Sequence, residues 1–334
     1  MILVTGATGH IGNVLIRKLV QRKQSVRAFY WQGEKPISLS GVNVEMFPGN
    51  ILSKASVHEA MQGVETVYHL AGVISILPNH NSIVWDVNVE GTRNVLALAQ
   101  EHHVKRLIYT STIHALRRLP KGFCIDETAG FDPENPYGVY DRSKAIASLE
   151  VLRAAREGLD AVIICPTGVI GPYDYYRSEM GKFLRSVAYR QAIFHIDGAY
   201  DFVDVRDVAN GLIAAMEKGK QGESYILGGH QMSIKDLIAA VSRIIGKSIP
   251  TIKLPDQLAR MVARLAPIYA RLFHSRPLVT PYSIEVLKSN SNISHLKAKR
   301  ELDYAPRPIL ETINDTLQWF FEEHNATANC SIPL

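Results

Sequence analysis

The chain opens with MILVTGATGHIG at residues 1–12, and this stretch decides the fold. Ile2, Leu3 and Val4 form a short apolar run that is typical of a buried strand. Residues 5–12 follow at once and lead into the apolar-periodic NVLIRKLVQR at 13–22. The stretch therefore predicts a strand, a glycine turn and a helix in immediate succession.

The glycine turn has the spacing of an anion-binding loop. Gly6, Gly9 and Gly12 carry no side-chain bulk, so bare backbone N–H groups can approach a phosphate at the positive end of the helix dipole. Glycines also mark ordinary turns. The position between the first strand and the first helix favours a dinucleotide over a purely structural turn.

Length and composition indicate a globular chain. Its 334 residues, 46% of them apolar, allow one large core or two unequal domains. The net charge of +5 is too small and dispersed to indicate nucleic acid, although it can attract anionic ligands. No apolar run reaches the roughly 18 residues of a membrane span, and we expect a cytoplasmic protein without one. The cysteines, at 124, 165 and 330, are too widely spaced for a disulfide framework or a zinc site, so no metal site is predicted.

Strand and helix patterns alternate along most of the chain. Strands are predicted at 2–4, 25–30, 42–47, 64–70, 104–110, 161–165 and 224–227, with helices after the glycine turn, at 88–102, at 140–157, from 201 onward and at 309–324. This alternation predicts an α/β fold, a Rossmann-type doubly wound parallel sheet, with a smaller and mainly helical C-terminal substrate domain. We expect residues 1–172 and 201–229 to form the dinucleotide-binding domain. Residues 173–200 and 230–325 would form the substrate-binding domain, and 326–334 a tail.

The end of the second strand bears on the choice of cofactor. An acidic residue there would bind the ribose hydroxyls of NAD, and a basic one the 2′-phosphate of NADP. Tyr30 and Trp31 occupy the turn, with Arg27 before them and Lys35 after. Because no carboxylate stands there and Lys35 could reach a 2′-phosphate, the sequence favours NADP. Trp31 could instead merely cover the adenine.

Two further strand ends are candidate cofactor contacts. Asn50 and Ile51 follow the third strand, where a side chain could meet the adenine ring. His69-Leu70-Ala71-Gly72 ends the fourth strand, where small residues let the chain pass close to a cofactor.

Tyr140 and Lys144 are the candidate catalytic pair. They lie four residues apart in a helical pattern and so share one face, which also happens often on surface helices. Cationic charge from Lys144 and an oxidised nicotinamide would lower the phenol pKa and make Tyr140 a usable acid or base. Ser111 and Thr112, at the end of the fifth strand, could hold the substrate oxygen.

The later part of the chain offers candidate substrate-binding segments. Aromatic residues crowd 173–194 and could line a pocket or pack under a loop. A helix at 254–273 carries an apolar stripe of Leu258, Val262, Leu265, Tyr269 and Leu272. This stripe favours a packed lid or subunit contact over a membrane surface or a cap on an apolar substrate.

Together these motifs resemble the extended short-chain dehydrogenase/reductase superfamily. They are TGATGHIG at 5–12, HLAG at 69–72, NVEGT at 88–92, TST at 110–112, YDRSK at 140–144, PTGVIGP at 166–172 and FVDVRDVA at 202–209. Within the superfamily the chain looks most like the branch of dihydroflavonol reductases and 3β-hydroxysteroid dehydrogenases.

The resemblance implies roles for individual residues. Tyr140 would be the general acid/base, Lys144 would bind the nicotinamide ribose, and Thr112 would take the place usually held by serine, with Ser111 one step earlier. Ile113 stands where sugar dehydratases carry an acidic residue, so dehydration is not expected. The implied cofactor-binding set is Gly6, Thr8, Gly9, His10, Ile11, Gly12, Trp31, Lys35, Asn50, Ile51, Leu70, Ala71, Gly72, Asn88, Tyr140, Lys144, Pro166, Gly168 and Val169.

These features predict an NADP-preferring oxidoreductase that moves hydride between nicotinamide and the carbonyl or alcohol of a small, apolar or aromatic substrate. A nucleotide-sugar epimerase with bound NAD is the first alternative, and Arg177, Arg185 and Arg190 could grip its diphosphate. A non-catalytic dinucleotide-sensing regulator is the second. Relatives often form homodimers through helices equivalent to 88–102 and 140–157. Apolar Val95, Leu96, Leu98, Leu149 and Leu152 fit that arrangement, and burial against the chain's own sheet explains them equally well.

Overall fold

A computed structural model of the chain describes residues 1–75, 82–189, 193–272 and 280–329. The strands are β1 Ile2–Thr5, β2 Val26–Trp31, β3 Glu45–Gly49, β4 Thr66–His69, β5 Arg106–Thr110, β6 Ala161–Pro166, β7 Gly168–Ile170, β8 Ile193–His195, β9 Ala199–Asp204, β10 Ser224–Leu227, β11 His230–Ser233 and β12 Thr251–Lys253. The helices are α1 His10–Gln21, α2 Lys54–Ala60, α3 Ser82–Trp85, α4 Gly91–Glu101, α5 Val139–Arg156, α6 Glu179–Tyr189, α7 Val205–Lys218, α8 Ile234–Ile244, α9 Asp256–Leu272, α10 Pro281–Lys288, α11 Leu296–Leu302 and α12 Ile309–Asn329. A π-helical turn at Asp86–Glu90 joins α3 to α4.

Seven strands form one parallel sheet in the order β3, β2, β1, β4, β5, β6, β10. Strand β1 pairs with β2 on one side and β4 on the other, so Ile2 lies opposite both Val26 and Thr66. The strand order reverses at this point, and the crevice at the carboxyl ends of such strands is where ligands bind in open α/β sheets. The predicted Rossmann-type doubly wound fold is confirmed.

Both faces of the sheet are covered, which explains why its strands are apolar almost throughout. Leu3 points into a cluster that Val57 of α2, Val95 of α4 and Val151 of α5 complete. Val4 points to the opposite face, with Leu15 of α1 and Leu212 of α7. The apolar stripes of five helices are thus used against the chain's own sheet.

The structure corrects several predicted elements. Residues 201–204 lie in β9, which pairs with β7 and β11, and the helix predicted from 201 begins at Val205. Asp204 caps that helix by accepting from the Arg206 N–H, and Asp207 is the acidic residue of its first turn. Strand β3 lies three residues later than predicted, and β8, β11 and β12 add short strands where irregular or helical structure was expected. The division into two domains stays a prediction.

Helix α9 lies where a helix was predicted, but its apolar stripe does not pack inside the chain. Leu258, Val262 and Leu265 are exposed, whereas Ala259 and Ala263 are buried. These alanines join a small cluster with Ile196 and Ile284. Small residues therefore make the helix contact, so a packed lid formed by the larger side chains is not observed. The predicted side-chain positions at 269 and 272 lie outside the described side chains.

Two other expectations concern helices. Helix α12 continues to Asn329, past its predicted end at residue 324, and residues 330–334 of the predicted tail lie outside the described residues. Within the described ranges, none of the helices is both long and apolar enough to cross a membrane.

Candidate active site

The glycine turn after β1 is packed so closely that side chains are excluded. Gly6 has φ +67°, and a Cβ atom there would lie 2.7 Å from the backbone nitrogen of Ala71. A Cβ atom on Gly12 would lie 2.2 Å from the Gly6 carbonyl oxygen. Helix α1 starts without a side-chain cap and without an acidic residue in its first turn. Its N-terminal N–H groups are thus available to an anion, and the cradle fits a dinucleotide diphosphate.

The residues around the turn connect it to two other segments. The Thr8 hydroxyl donates to a carboxylate oxygen of Glu34 at 3.0 Å. His10 Nε2 lies 2.9 Å from the carbonyl oxygen of Pro172, in the PTGVIGP segment. Ile11 is partly buried against the α1 side of the sheet. The structure therefore brings a carboxylate to the turn, which the sequence did not predict.

Residues 70–72 run from the glycine turn to the candidate catalytic lysine. The Ala71 N–H donates to the Thr5 hydroxyl, beside Gly6. A Cβ atom on Gly72 would lie 3.1 Å from Asn88 Oδ1 and 3.6 Å from Lys144 Nζ. Leu70 packs in the apolar layer on the α1 side. The small residues of this segment thus form one wall that joins the turn to Lys144.

The other predicted cofactor residues differ in how deeply they are buried. Ile51 is buried in the core, within van der Waals distance of Gly91, and Asn50 Oδ1 accepts from the Leu52 N–H. Both side chains have structural contacts, so their predicted adenine contacts stay predictions. Trp31 is 61% exposed and Lys35 is exposed. Pro166 ends β6, and Gly168 and Val169 begin β7 with Gly168 against the Tyr200 ring.

Tyr140 and Lys144 are both buried on α5. Lys144 Nζ donates to the Thr110 carbonyl oxygen at 2.6 Å and to the Tyr109 hydroxyl at 3.1 Å. Burial lowers the pKa of Lys144 to about 7. Burial also raises the pKa of Tyr140, and the neighbouring Thr112 hydroxyl partly opposes this rise.

In the free protein the Tyr140 pKa is raised by burial. The physical reason is that removal from water destabilises the phenolate, while the lysine Nζ is held by β5. Tyr140 is therefore a protonated phenol at neutral pH. The lower phenol pKa expected from Lys144 together with an oxidised nicotinamide stays a prediction for the cofactor complex.

The two candidate hydroxyls at the end of β5 take different positions. The Thr112 hydroxyl lies at Tyr140 and also accepts from the His114 N–H. The Ser111 hydroxyl instead lies 2.7 Å from that of Ser148, which donates to the Lys144 carbonyl oxygen. The structure thus brings Thr112 to the phenol and places Ser111 against the back of helix α5.

A buried polar network holds this end of the site. Asn88 accepts from the Val73 N–H and donates to the Val73 carbonyl oxygen and the Ser143 hydroxyl, and Ser143 in turn donates to the Tyr140 carbonyl oxygen. His69 lies 2.7 Å from the Thr5 hydroxyl and 3.0 Å from that of Thr92. Burial, with a smaller contribution from Lys144, lowers the His69 pKa to about 3, so its imidazole is neutral.

Several residues of the site were missed by sequence reasoning. His114 Nε2 lies 2.6 Å from the Tyr200 hydroxyl, and the His114 ring stacks on Tyr200 and meets the rings of Tyr140 and Tyr282. Beside them, buried Asp141 accepts from Arg118 at 3.0 Å and from the Tyr282 hydroxyl at 2.6 Å. Asp141 lies inside the YDRSK motif, which is the one signal that could have drawn attention to this group. Tyr200 and Tyr282 come from distant segments, so no local pattern marks them.

The site and fold agree with comparisons to known proteins. A model of the NAD dependent epimerase/dehydratase family matches residues 2–228. The chain therefore belongs to this family, within the extended short-chain dehydrogenase/reductase superfamily, whose members are NAD(P)-dependent oxidoreductases, epimerases and dehydratases.

Individual relatives cover nearly the whole chain. "Sterol demethylase protein B" of Methylococcus capsulatus is 33% identical, over 96% of this chain and 98% of that protein. A Stigmatella aurantiaca protein, "4-hydroxy-2-methyl-3-oxo-4-farnesyl-3,4-dihydroquinoline-1-oxide ketoreductase", is 27% identical over 91% of each chain. The crystal structure of gox2253 superposes with a TM-score of 0.84 at 33% identity, covering 97% of this chain and 98% of that one.

Proposed function

We propose that the protein is an NAD(P)-dependent reductase of a carbonyl group on an apolar substrate, and that in reverse it is an alcohol dehydrogenase. One observation carries the proposal: the buried Tyr140 phenol is held protonated beside the Thr112 hydroxyl, with Lys144 on the next turn of the same helix. A protonated phenol suits the donation of a proton to an oxygen that becomes an alkoxide.

In this mechanism the chain's own residues position the carbonyl oxygen and protonate it. When bound, the reduced nicotinamide supplies the hydride to the carbonyl carbon. The Thr112 hydroxyl donates a hydrogen bond to the substrate oxygen, and Tyr140 transfers its phenolic proton to the same oxygen. Lys144 and the glycine turn would hold the cofactor, the turn through its free N–H groups.

The surroundings of Tyr140 support an apolar substrate. The rings of His114, Tyr200 and Tyr282 lie beside it, and the neighbouring cation Arg118 is paired with Asp141. Two of the relatives carry sterol or farnesyl groups in their names. We therefore propose a ketone on a bulky apolar skeleton.

The epimerase alternative has less support at this site. It needs cations that grip a nucleotide diphosphate. Arg185 lies over the Tyr189 ring. Burial raises the pKa of the Glu323 carboxyl, and the positive charges of Arg177 and Arg185 partly oppose that rise, so both arginines lie near this carboxylate. Arg190 lies outside the described residues.

Cofactor preference is proposed here from one contact of the glycine turn that the sequence did not predict. NADP was favoured because no carboxylate ends β2, yet Glu34 reaches the glycine turn through Thr8. The Tyr176 phenol lies within hydrogen-bonding reach of the same carboxylate. A fixed negative charge beside the turn can accept from ribose hydroxyls and repels a 2′-phosphate. We therefore propose that NAD is preferred over NADP.

The test uses purified protein stripped of cofactor. NADH and NADPH are titrated separately, and absorbance of the reduced nicotinamide is then followed with a panel of sterol ketones, aryl ketones and UDP-sugars. We expect NADH to bind more tightly and one ketone class to consume it with an equal amount of alcohol formed. Interconversion of UDP-sugars without net loss of NADH would refute the reductase assignment.

A further inference from the structure

Three metal-ligating side chains meet far from Tyr140, where the C-terminal ends of α2 and α4 pack together. His58 comes from α2, Glu101 is the last residue of α4, and His102 follows it. His58 Nδ1 lies 3.0 Å from His102 Nε2 and 3.4 Å from Glu101 Oε1. One ligand atom from each residue lies within 4.8 Å of the others. No cysteine is involved, and the two histidines are 44 residues apart, so the sequence pattern did not reveal the group.

Two of these three separations match those of ligands around one tetrahedral ion, and the third pair, Glu101 and His102, lies within 4.8 Å. Zinc binds imidazole nitrogen at about 2.0–2.1 Å and carboxylate oxygen at about 2.0–2.2 Å, so neighbouring ligand atoms lie roughly 3.3 Å apart. The observed 3.0 and 3.4 Å lie on either side of that value. From this geometry we propose that His58, Glu101 and His102 bind a divalent transition-metal ion of the zinc class, with water as the fourth ligand.

The Gln62 side chain allows His58 to change from a hydrogen-bonded state to a metal-bound one. Its side-chain amide nitrogen lies 3.2 Å from His58 Nε2. If the amide donates there, Nδ1 carries the ring proton and bonds to His102. Rotation of the amide by half a turn presents its oxygen instead, which accepts from Nε2–H and leaves the Nδ1 lone pair for an ion. The backbone need not move.

The helices that carry these ligands are packed together through the core. Val57 and Ala60 of α2 are buried against Leu98 and Ala99 of α4, next to the ligand positions. The ion would join two helices that already pack, without ordering a loop. Because His58 and Glu101 are largely exposed, the site is open to exchange. We therefore expect modest affinity and an added stability of the folded chain.

The site is also separate from the proposed active site. His102 precedes β5, whereas Thr112 follows it, so the two sites lie at opposite ends of a five-residue strand, about 17 Å long. Metal binding should therefore change stability with little effect on the chemistry at Tyr140.

The experiment uses the full-length chain without a histidine tag, freed of metal by a chelator. Zn²⁺ binding is measured by calorimetry, and Co²⁺ serves as a spectroscopic probe because tetrahedral coordination has strong visible absorption. We expect one Zn²⁺ per chain, a rise in the unfolding temperature, and tetrahedral Co²⁺ bands. In His58→Ala and His102→Ala the affinity should fall at least tenfold and the bands should vanish.

His103→Asn is the matched control, since His103 is adjacent and has a positive φ of 51° that asparagine tolerates. It should keep both the affinity and the spectrum. Far-UV circular dichroism of each apo variant checks that the chain still folds. Binding that is absent in the wild type, or unchanged in both alanine variants, would overturn the proposal.

Discussion

The two ends of the candidate cofactor groove are held very differently. Around Tyr140 and Lys144 a buried set of donors is bonded before any ligand arrives, from Asn88 through Ser143 to the carbonyl of Tyr140 itself. At the glycine-turn end, Trp31 is exposed and Glu34 reaches Thr8 from a surface loop. We therefore expect the proposed chemistry to depend on a preformed scaffold, and the choice of cofactor to depend on a few loop side chains. Changes at the first end should therefore cost activity or folding, and changes at the second should alter selectivity.

Tyr140→Phe is expected to have the largest effect. It removes the proton donor and keeps the buried ring, so kcat/KM for ketone reduction should fall about 10²- to 10⁴-fold, with NADH binding within a few-fold of the wild type. Steady-state absorbance and NADH titration measure both. Tyr137→Phe is the control, because Tyr137 lies nearby but is largely exposed. A loss of equal size in that variant would contradict the assignment.

Lys144 should make stability depend on pH. Its pKa is about 7 in the folded chain, against 10.5 for a lysine side chain in water, so between these values the unfolded chain binds more protons. The free energy of unfolding should therefore rise with pH across this window, by up to about 1.4 kcal/mol per pH unit, and the full destabilisation should be present below pH 7.

Urea unfolding of the wild type and Lys144→Met from pH 7 to 10 isolates this contribution as the difference between the two. Lys105→Met, at an exposed lysine, should leave the slope of the wild type unchanged. If Lys144→Met keeps that slope as well, the buried lysine is not its source.

Asn88→Ala should destabilise the scaffold at the Tyr140 end. The substitution removes three hydrogen bonds, two to the partly buried Val73 backbone and one to the buried Ser143 hydroxyl, at a cost of about 2–3 kcal/mol in the free energy of unfolding. Asn94→Ala, in the helix that follows, with longer bonds of 3.2 and 3.3 Å to partly buried carbonyls, should cost clearly less. Both losses are measured by urea unfolding. Equal losses would mean that the network around Asn88 stabilises the fold no more than the bonds of Asn94 do.

Glu34→Gln should have the smallest effect and act on selectivity. Removing the charge beside the turn should improve NADPH binding relative to NADH by about tenfold, because one close charge repulsion is worth about 1.4 kcal/mol. Fluorescence titration with both cofactors measures the ratio. Lys35→Gln is the matched neighbour: if the sequence-based preference for NADP is right, this variant weakens NADPH binding and Glu34→Gln changes little.

Periodicity and spacing predicted the parts of the molecule that local sequence determines. The glycine turn, the alternation of strands and helices, and the shared face of Tyr140 and Lys144 each follow from neighbours within a few residues. Strand β9 was misread because FVDVRDVA combines a strand end, a cap and a helix start, and the polar Asp204 suits both interpretations.

Contacts between distant segments could not be predicted in this way. Glu34 meets Thr8 across a loop, and Tyr282 meets Asp141 over 141 residues, so neither pair has a sequence period. The same holds for the Tyr140 pKa in the free protein, which burial by surrounding elements raises.

The central claim, that Tyr140 is a protonated phenol ready to donate, is tested most directly by its ionisation. Ultraviolet difference absorbance between the wild type and Tyr140→Phe, recorded across pH in the free protein, reports the phenolate of this residue alone. We expect no phenolate from Tyr140 below about pH 10, the ordinary pKa of a phenol. Ionisation near neutral pH would contradict it, because the group would then be a base in the free protein and not a proton donor.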